Sequence, residues 1–424
     1  MRISALCTAV ITYVVVGHPP PAVAQVDQQR AQEYFKEAQA LCERDGGRLW
    51  GVSICGPMVI ADRRTQTIAT SQPAPEAARP PLLGLLNAPV QWGGATWSAY
   101  MWADVVNRTP RERKELFLHE LFHCVQRQLG LAAPALDSEH LDAADGRYWL
   151  RLEWRALARA LRESGEPRDL AVRDALTFRQ ARRMLYAANV ESERGQEIAE
   201  GLAAYTGTVL AADSAADAIA SAIDLLVNTE AAALEASFVR TFAYMSGPAY
   251  GLLLDASSPG WTRRVRGTDD LGTLVMHALA VRPASDATAS AARYDGAQVR
   301  ASEQQRDQQR EQRLAELRRQ FVDGPVLLFP GAGGAQFNSI GAVSMPGVGT
   351  VYFGPYNASG EWGTLSAEKG VLIASDGRSR RVSAPVRRDD GTFAGDGWTF
   401  RVAPGWVVRE GARRGDYEVV QQQP

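Results

Sequence analysis

The sequence predicts an α+β protein, in which a mostly helical region with a small N-terminal β-sheet precedes a C-terminal all-β domain. Two patterns predict this order. Apolar residues recur at helical spacing over most of residues 109–277. Short β-branched and aromatic runs separated by turn residues lie ahead of that region, and glycine-rich, β-branched runs follow it from Val322 onward. The 424 residues are enough for two or three domains.

Residues 1–24 have the pattern of a secretory signal peptide. Arg2 supplies a positive charge, residues 3–17 form an apolar stretch, and Ala22-Val23-Ala24 is a small-residue cleavage site. The apolar stretch is shorter than a membrane span requires. We therefore expect cleavage near Ala24, a secreted or periplasmic location, and no membrane span in the mature chain.

Composition shifts mark the expected domain boundaries. We expect residues 25–297 to form one domain, residues 298–321 a charged helical linker, and residues 322–424 an all-β accessory domain. The linker is rich in Gln, Arg and Glu and has few apolar anchors. The formal net charge of −2, with both signs well mixed, argues against nucleic acid as a main partner.

Helices and strands follow from local patterns. The expected strands are short apolar runs between turn residues, namely residues 49–54, 58–61 and 65–69 and a strand pair over residues 91–102. The expected helices are the amphipathic stretches over residues 27–44, 109–129, 147–164, 170–188, 193–212 and 298–320. A further, alanine-rich helix follows residue 212 and ends at residue 232. The sheet would offer an edge strand to an extended peptide. Core packing of Trp92, Trp97 and Trp102 explains the same residues equally well.

Three cysteines remain after export, in a compartment that permits disulfides. A Cys42–Cys55 bridge would close a short loop after the first helix, but sequence alone does not show whether the geometry permits it. Cys124 follows directly after a histidine and points about 100° away from it around a helix. We expect Cys124 to be a buried thiol and not a metal ligand.

The residues His119-Glu120-Leu121-Phe122-His123 form an H-E-x-x-H motif. On a helix, positions i and i+4 lie on one face, so both imidazoles can bind a single Zn²⁺ ion. Glu120 then lies beside the metal, where a carboxylate can act on a water molecule. A pair of core histidines bonded to backbone carbonyls is the alternative, but the glutamate between them favours a metal.

The motif falls on a helix with strong end signals. Thr109, Pro110 and Glu112 fit the N-cap, first helical residue and capping-box positions. Gly130 fits the end of the helix, with Arg127 in the last turn.

Catalytic zinc sites generally have a third protein ligand, which the motif does not supply. The longer form with a glycine and a third histidine does not fit, because Gln126 and Leu129 fill those places. Glu153 lies on the apolar face of its helix, where a carboxylate needs a partner. Glu200 lies among small residues that permit close helix packing. His140 and His277 also remain candidates for the third ligand.

The H-E-x-x-H motif together with Glu200-Gly201-Leu202-Ala203-Ala204-Tyr205 resembles the gluzincin zinc metallopeptidases, in the branch where an E-G-x-A-x-Y helix supplies the third ligand. The resemblance covers about a dozen residues. It implies a zincin-like domain, zinc held by His119, His123 and Glu200, and Glu120 as general base. The 77 positions between His123 and Glu200 are more than the commonest spacings in this family, so Glu153 stays open as ligand or as partner of an imidazole.

The resemblance also implies a tyrosine or histidine that stabilises the oxyanion. Tyr205 is the first candidate, followed by Tyr244, Tyr250 and His277. We therefore expect an exported zinc metallopeptidase that hydrolyses a peptide or protein substrate. The alternatives are a non-catalytic secreted zinc-binding scaffold that presents the β domain to a partner, and a structural protein without metal.

Overall fold

The computed structural model describes residues 25–422 except for residues 63, 81, 82, 85, 133–137, 234–236, 332, 337–341 and 390. The predicted signal peptide, residues 1–24, lies outside the described residues. About 50% of the chain is helical and about 20% is strand, with helices dominant in the N-terminal and middle regions and a sheet-rich region at the C-terminus. This confirms the coarse α+β order. The chain separates into two compact units, with the boundary after Glu303.

The N-terminal unit begins with one helix and a small sheet, as predicted. These elements are α1 (Gln28–Asp45), β1 (Met58–Asp62), β2 (Thr67–Thr70), β3 (Ala88–Trp92) and β4 (Ala95–Met101). The strand order is β2-β1-β4-β3, with β1 and β4 parallel and the other pairs antiparallel. Strand β3 is therefore at the edge of this sheet.

Helices make up the rest of the unit, and the last of them, α12, continues past the boundary after Glu303. They are α2 (Trp102–Val106), α3 (Pro110–Gln126), α4 (Ala144–Arg162), α5 (Gly165–Leu185), α6 (Val190–Gln196), α7 (Leu202–Ala211), α8 (Ala215–Ala231), α9 (Phe242–Ser257), α10 (Leu271–Ala278), α11 (Ala287–Ala291) and α12 (Gly296–Arg318). A π-helical turn, Glu197–Gly201, joins α6 to α7. Helix α3 packs against α7 and β4, α7 packs against α9, and α4 packs against α5. Helix α3 therefore lies between the sheet and the other helices.

One predicted strand is wrong. Residues 49–54 form turns and irregular backbone, because Gly46, Gly47 and Gly51 adopt left-handed conformations that wind the chain tightly. The Asp45 carboxylate accepts hydrogen bonds from the backbone of this turn. Trp50 is buried against Phe122 of α3, with ring centroids 4.8 Å apart. The apolar run that suggested a strand instead buries Trp50 in the core.

A disulfide joins Cys42, in the last turn of α1, to Cys55, with their Cα atoms 5.4 Å apart. It therefore holds the irregular segment after α1 to the helix. Among the described residues, Cys124 is the free cysteine, and it is half-buried. In the same part of the chain, no helix combines the length and the apolar character needed to cross a bilayer.

The C-terminal unit is sheet-rich. Its strands are β5 (Val326–Pro330), β6 (Gly334–Gln336), β7 (Val343–Met345), β8 (Gly349–Tyr352), β9 (Tyr356–Gly360), β10 (Gly363–Ala367), β11 (Val371–Ala374), β12 (Ser379–Ser383), β13 (Val386–Arg387), β14 (Phe393–Gly395), β15 (Trp398–Val402), β16 (Trp406–Glu410) and β17 (Tyr417–Gln421). One sheet has the order β13-β14-β15-β10-β9-β6 and the other β16-β17-β5-β12-β11-β8-β7. Side chains of both sheets, including Phe329 and Phe400, share one buried cluster.

Candidate metal centre

Helix α3 begins where its end signals predict. The Thr109 hydroxyl accepts a hydrogen bond from the Glu112 backbone N–H, and the Glu112 carboxylate accepts one from the Thr109 backbone N–H. Pro110 is the first helical residue, a position that needs no N–H partner. Leu118 and Phe122 are fully buried. Local sequence thus sets the start of the helix, and its apolar side chains set which face turns inward.

That inward face brings the two motif histidines together with Glu200. The Nε2 atoms of His119 and His123 are 3.0 Å apart. The Glu200 Oε2 atom lies 3.3 Å from the Nε2 of His119 and 3.5 Å from that of His123. A tetrahedral zinc ion with bonds of about 2.0–2.1 Å holds its ligand atoms about 3.3 Å apart. Two imidazole nitrogens and one carboxylate oxygen in this triangle therefore fit a zinc ion.

Glu200 belongs to the π-helical turn Glu197–Gly201, and close packing of that turn positions it. Gly201 meets Gly247 of α9 so closely that a Cβ atom built on Gly247 would lie 2.3 Å from the Gly201 Cα atom. A side chain on Gly247 does not fit at this crossing, whereas a Cβ atom on Gly201 would lie 3.2 Å from its nearest neighbours. Gly247 therefore lets α9 approach the cluster.

Helix α9 uses this approach to place Tyr244 at the cluster. The Tyr244 hydroxyl donates a hydrogen bond to Glu200 Oε2, 2.6 Å away. The Tyr244 side chain is partly exposed, whereas Tyr205 and Tyr250 are buried.

Glu120 lies directly beside the cluster and is 6% exposed. Among the described residues, its Oε2 atom is buried without a hydrogen-bond partner. Burial raises the pKa of Glu120 to about 7. A buried carboxylate oxygen without a protein partner leaves an acceptor for a hydrogen bond from a bound ligand or water molecule.

The charges around the cluster are strongly coupled. Burial lowers the pKa of His119. Burial also acts to lower the pKa of His123, but its interactions with Glu200, Glu120 and Gln126 together outweigh burial and raise the pKa. For Glu200, burial acts to raise the pKa, and hydrogen bonds to His119 and His123 outweigh it, so the pKa falls well below its usual value. The carboxylate of Glu200 is therefore held in its ionised form, the form that binds metal.

A cleft of about 660 Å³ opens at the cluster, with Glu120, His123, Glu200 and Tyr244 in its walls. Edge strand β3 forms another part of the wall. Cys124 also lines the cleft, and burial raises the pKa of its thiol to about 12, so it stays protonated. Trp92, Trp97 and Trp102 are buried, so core packing accounts for the tryptophans while the backbone of β3 borders the cleft.

Glu153 is not part of the cluster. Its side chain is fully buried, with Arg179, Arg182 and Tyr250 as hydrogen-bond partners. It belongs to a buried ionic network formed by Glu153, Arg179, Arg182, Arg183, Glu193, Glu197 and Asp270. The carboxylate on an apolar helix face does have a partner, as expected, but that partner is arginine and not a metal.

Tyr205 does not reach the cluster either. Its ring is fully buried, and its hydroxyl donates to Asp255, 2.7 Å away. The structure therefore does not bring Tyr205, the first candidate for oxyanion donor, to the cluster, because its hydroxyl is bonded to Asp255.

The other open candidates also lie elsewhere. Tyr250 donates to Glu153, His140 is 2.7 Å from Glu193, and His277 lines a separate cavity of about 290 Å³. Of the ligand candidates that the sequence left open, only Glu200 lies beside both histidines in the described structure.

Gln126 is a residue at the cluster to which sequence reasoning gave no role. It lies one turn after His123 and contacts its imidazole. Its spacing of three residues from His123 on a helix was a usable signal, since such pairs are neighbours.

The chain matches no protein-family model, no curated protein and no solved structure. A function for it therefore has to be argued from the geometry of its own residues.

Proposed function

We propose that the protein is an exported zinc-dependent metallopeptidase of the gluzincin type. In this proposal, residues 25–297 form a zincin-like domain that holds zinc through His119, His123 and Glu200. Residues 298–321 act as a linker, and residues 322–424 form an accessory domain. Substrates are peptides or proteins.

One observation carries the proposal. His119, His123 and Glu200 offer three ligand atoms that all lie within 4.8 Å of one another, and the partnerless oxygen of Glu120 lies beside them. A purely structural metal site is usually closed by four protein ligands. Three ligands, an adjacent carboxylate and an open cleft are typical of a catalytic site.

Zinc held there would polarise a substrate carbonyl and lower the pKa of a water molecule toward about 7. Glu120 would take a proton from the attacking water as the water oxygen forms a bond to the carbonyl carbon. Glu120 would then pass that proton to the amine nitrogen as the C–N bond breaks. The Tyr244 hydroxyl, which donates to Glu200 at 2.6 Å, would turn to the developing oxyanion.

Strand β3 supports a polypeptide as the substrate. It is the edge strand of its sheet, and Ala88, Pro89 and Gln91 line the cleft beside the cluster. An extended peptide laid along such an edge forms main-chain hydrogen bonds, which recognise the backbone and not a particular sequence. This arrangement would hold a scissile peptide bond next to Glu120.

Elemental analysis and peptide hydrolysis by the purified mature protein test the proposal. We expect one zinc per chain and cleavage of a mixed peptide library. Glu120→Gln should retain zinc and lose turnover by about 10²-fold or more. Glu115→Gln, at a half-buried position of the same helix where the carboxylate accepts from Arg111 and Ser221, is the matched control.

The remaining outcomes separate the alternatives. Zinc without hydrolysis of any peptide, in wild type as in Glu120→Gln, would support the zinc-binding scaffold. A wild-type protein that binds no zinc after reconstitution would overturn both readings and leave a protein without metal.

A further inference from the structure

We propose that Gln126 is a positioning residue that ties His123 to the helical turn carrying Glu200, so that one side-chain amide sets the geometry of two of the three metal ligands. The inference deepens the proposed function and rests on it. Its observable is the affinity for zinc, which is measured independently of catalysis.

Gln126 is the last residue of α3 and is 7% exposed. Its Oε1 atom lies 2.8 Å from Nδ1 of His123. Its Nε2 atom lies 2.9 Å from the carbonyl oxygens of both Ile198 and Ala199. The side chain therefore spans from one ligand to the backbone immediately before the other.

The direction of each hydrogen bond follows from the chemistry of the groups. The carbonyl oxygens of Ile198 and Ala199 only accept, so the amide NH₂ of Gln126 must face them and use both of its hydrogens. The amide oxygen must then face His123. Because that oxygen only accepts, Nδ1 of His123 must carry the hydrogen. A neutral His123 in this tautomer presents a bare Nε2 to the metal position.

The hydrogen bonds from the Gln126 amide to Ile198 and Ala199 hold the turn that carries Glu200. In an α-helix the Leu202 N–H would donate to the carbonyl of Ile198, but in the π-helical turn it donates to Glu197. The Ile198 carbonyl does not receive that bond, and the Gln126 amide donates to it. The carbonyl of Ala199 belongs to the peptide unit that leads into Glu200. Holding it against α3 sets how far the Glu200 carboxylate lies from the histidines.

Two contacts through one amide make Gln126 different from an ordinary capping residue. A purely structural role would stabilise the junction between α3 and the π-helical turn without changing zinc affinity. A positioning role changes the affinity itself, because both the tautomer of His123 and the placement of Glu200 depend on it. Outer contacts of this kind typically change metal affinity by about 10- to 100-fold when removed.

Two substitutions separate the two halves of the contact. Gln126→Met keeps the length of the side chain and removes every hydrogen bond. Gln126→Glu keeps the acceptor for His123 but cannot donate to the carbonyls of Ile198 and Ala199. Gln128→Met, at an exposed position two residues away, is the matched control.

The experiment is a competitive zinc titration of the full mature chain against a chromogenic chelator, with side-chain ¹⁵N NMR of the histidines in the zinc-free protein. We expect the Kd for zinc to rise about 10- to 100-fold in Gln126→Met and to rise in Gln126→Glu, with Gln128→Met unchanged. The NMR spectrum should show a signal for the hydrogen-bonded Nδ1–H of His123 in wild type and its loss in Gln126→Met.

If Gln126→Met fails to fold, Gln126→Glu decides the question, since it keeps the size and one contact. A folded variant of either kind with the wild-type Kd would overturn the inference. A wild-type protein that binds no zinc would instead overturn the proposed function, so the two failures are distinguishable.

Discussion

The ring of Tyr244 lies almost parallel to the ring of His119, with centroids 5.3 Å apart and planes 10° from parallel. This stacking fixes the position of the Tyr244 ring relative to His119, a proposed metal ligand. The Tyr244 hydroxyl then reaches Glu200 Oε2. Burial and the Glu200 charge raise the pKa of this tyrosine, so the hydroxyl keeps its hydrogen and remains a donor. These contacts make Tyr244, and not Tyr205, the residue to test for oxyanion stabilisation.

Tyr244→Phe should lower kcat by about 10²-fold with little change in KM, because the lost hydroxyl would act mainly in the transition state. Tyr205→Phe is the matched control. It should keep kcat and lower the free energy of unfolding by about 1–3 kcal/mol, since the partly buried Asp255 loses a hydrogen-bond donor. Steady-state kinetics and urea unfolding measure both effects. Wild-type kcat in Tyr244→Phe would exclude its catalytic role.

Substitutions of Glu153 and Glu200, the two candidates for third ligand, should have different effects on stability and on zinc content. Glu153→Gln should lower the free energy of unfolding by about 1–3 kcal/mol, because Arg182 loses one of its two carboxylate partners and keeps Glu193, and should keep zinc. Glu200→Gln should lose zinc while remaining folded. Elemental analysis and urea unfolding of both variants check this. Zinc loss from a folded Glu153→Gln protein would return Glu153 to the metal site.

The contact between Gly201 and Gly247 predicts a sensitive position away from the metal ligands. Gly247→Ala should push α9 away from the π-helical turn, lower the free energy of unfolding by about 1–3 kcal/mol and weaken zinc binding. Gly334→Ala is the control, since a Cβ atom there meets nothing within 4 Å. Urea unfolding and zinc titration give the two readouts. Equal behaviour of the two variants would show that the close approach of α9 does not matter.

Asp270 predicts a pH dependence of stability. Burial acts to raise the pKa of its carboxyl, but Arg179 and Arg183 outweigh burial and hold the pKa far below its usual value. A depressed pKa in the folded state stabilises the protein above the unfolded pKa of about 3.9, and this stabilisation is lost as the pH falls toward the folded pKa. Asn at this position can still accept the hydrogen bond from the Thr273 backbone that begins α10.

Asp270→Asn should therefore be less stable than wild type by about 3 kcal/mol at pH 7. The difference should begin to shrink below about pH 4. Urea unfolding of both proteins from about pH 2 to about pH 7, which includes the range below about pH 4 in which the linkage acts, gives the test. A difference that stays constant over this range would show that the effect of the substitution does not come from the carboxylate charge.

Sequence alone predicted those features that depend on neighbouring residues. Thr109, Pro110 and Glu112 form the start of α3 through contacts within one turn, so their pattern was enough. The distance between His119 and His123 follows from helix geometry in the same way. Glu200 came from a resemblance and not from spacing, because 77 positions of chain separate it from His123.

What the sequence could not supply depends on contacts between distant segments. Glu153 was open as a ligand because its arginine partners lie on another helix, 26 and 29 residues away. Tyr205 ranked above Tyr244 because the crossing at Gly247, which brings α9 to the cluster, leaves no mark in helical periodicity. The π-helical turn was not predicted either, because most residues on both sides of it are buried, so no one-sided apolar stripe is present to show the shift.

The buried ionic network has a consequence for how this chain can change over generations. Replacing one member alone leaves an opposite charge unmatched inside the protein, whereas replacing a whole pair by apolar residues of similar volume is often neutral. Drift at Glu153, Arg182 and Glu193 should therefore proceed by paired exchanges or not at all. In descendants of this chain, we expect these positions to covary, and the solitary carboxylate Glu120 to have no covarying partner.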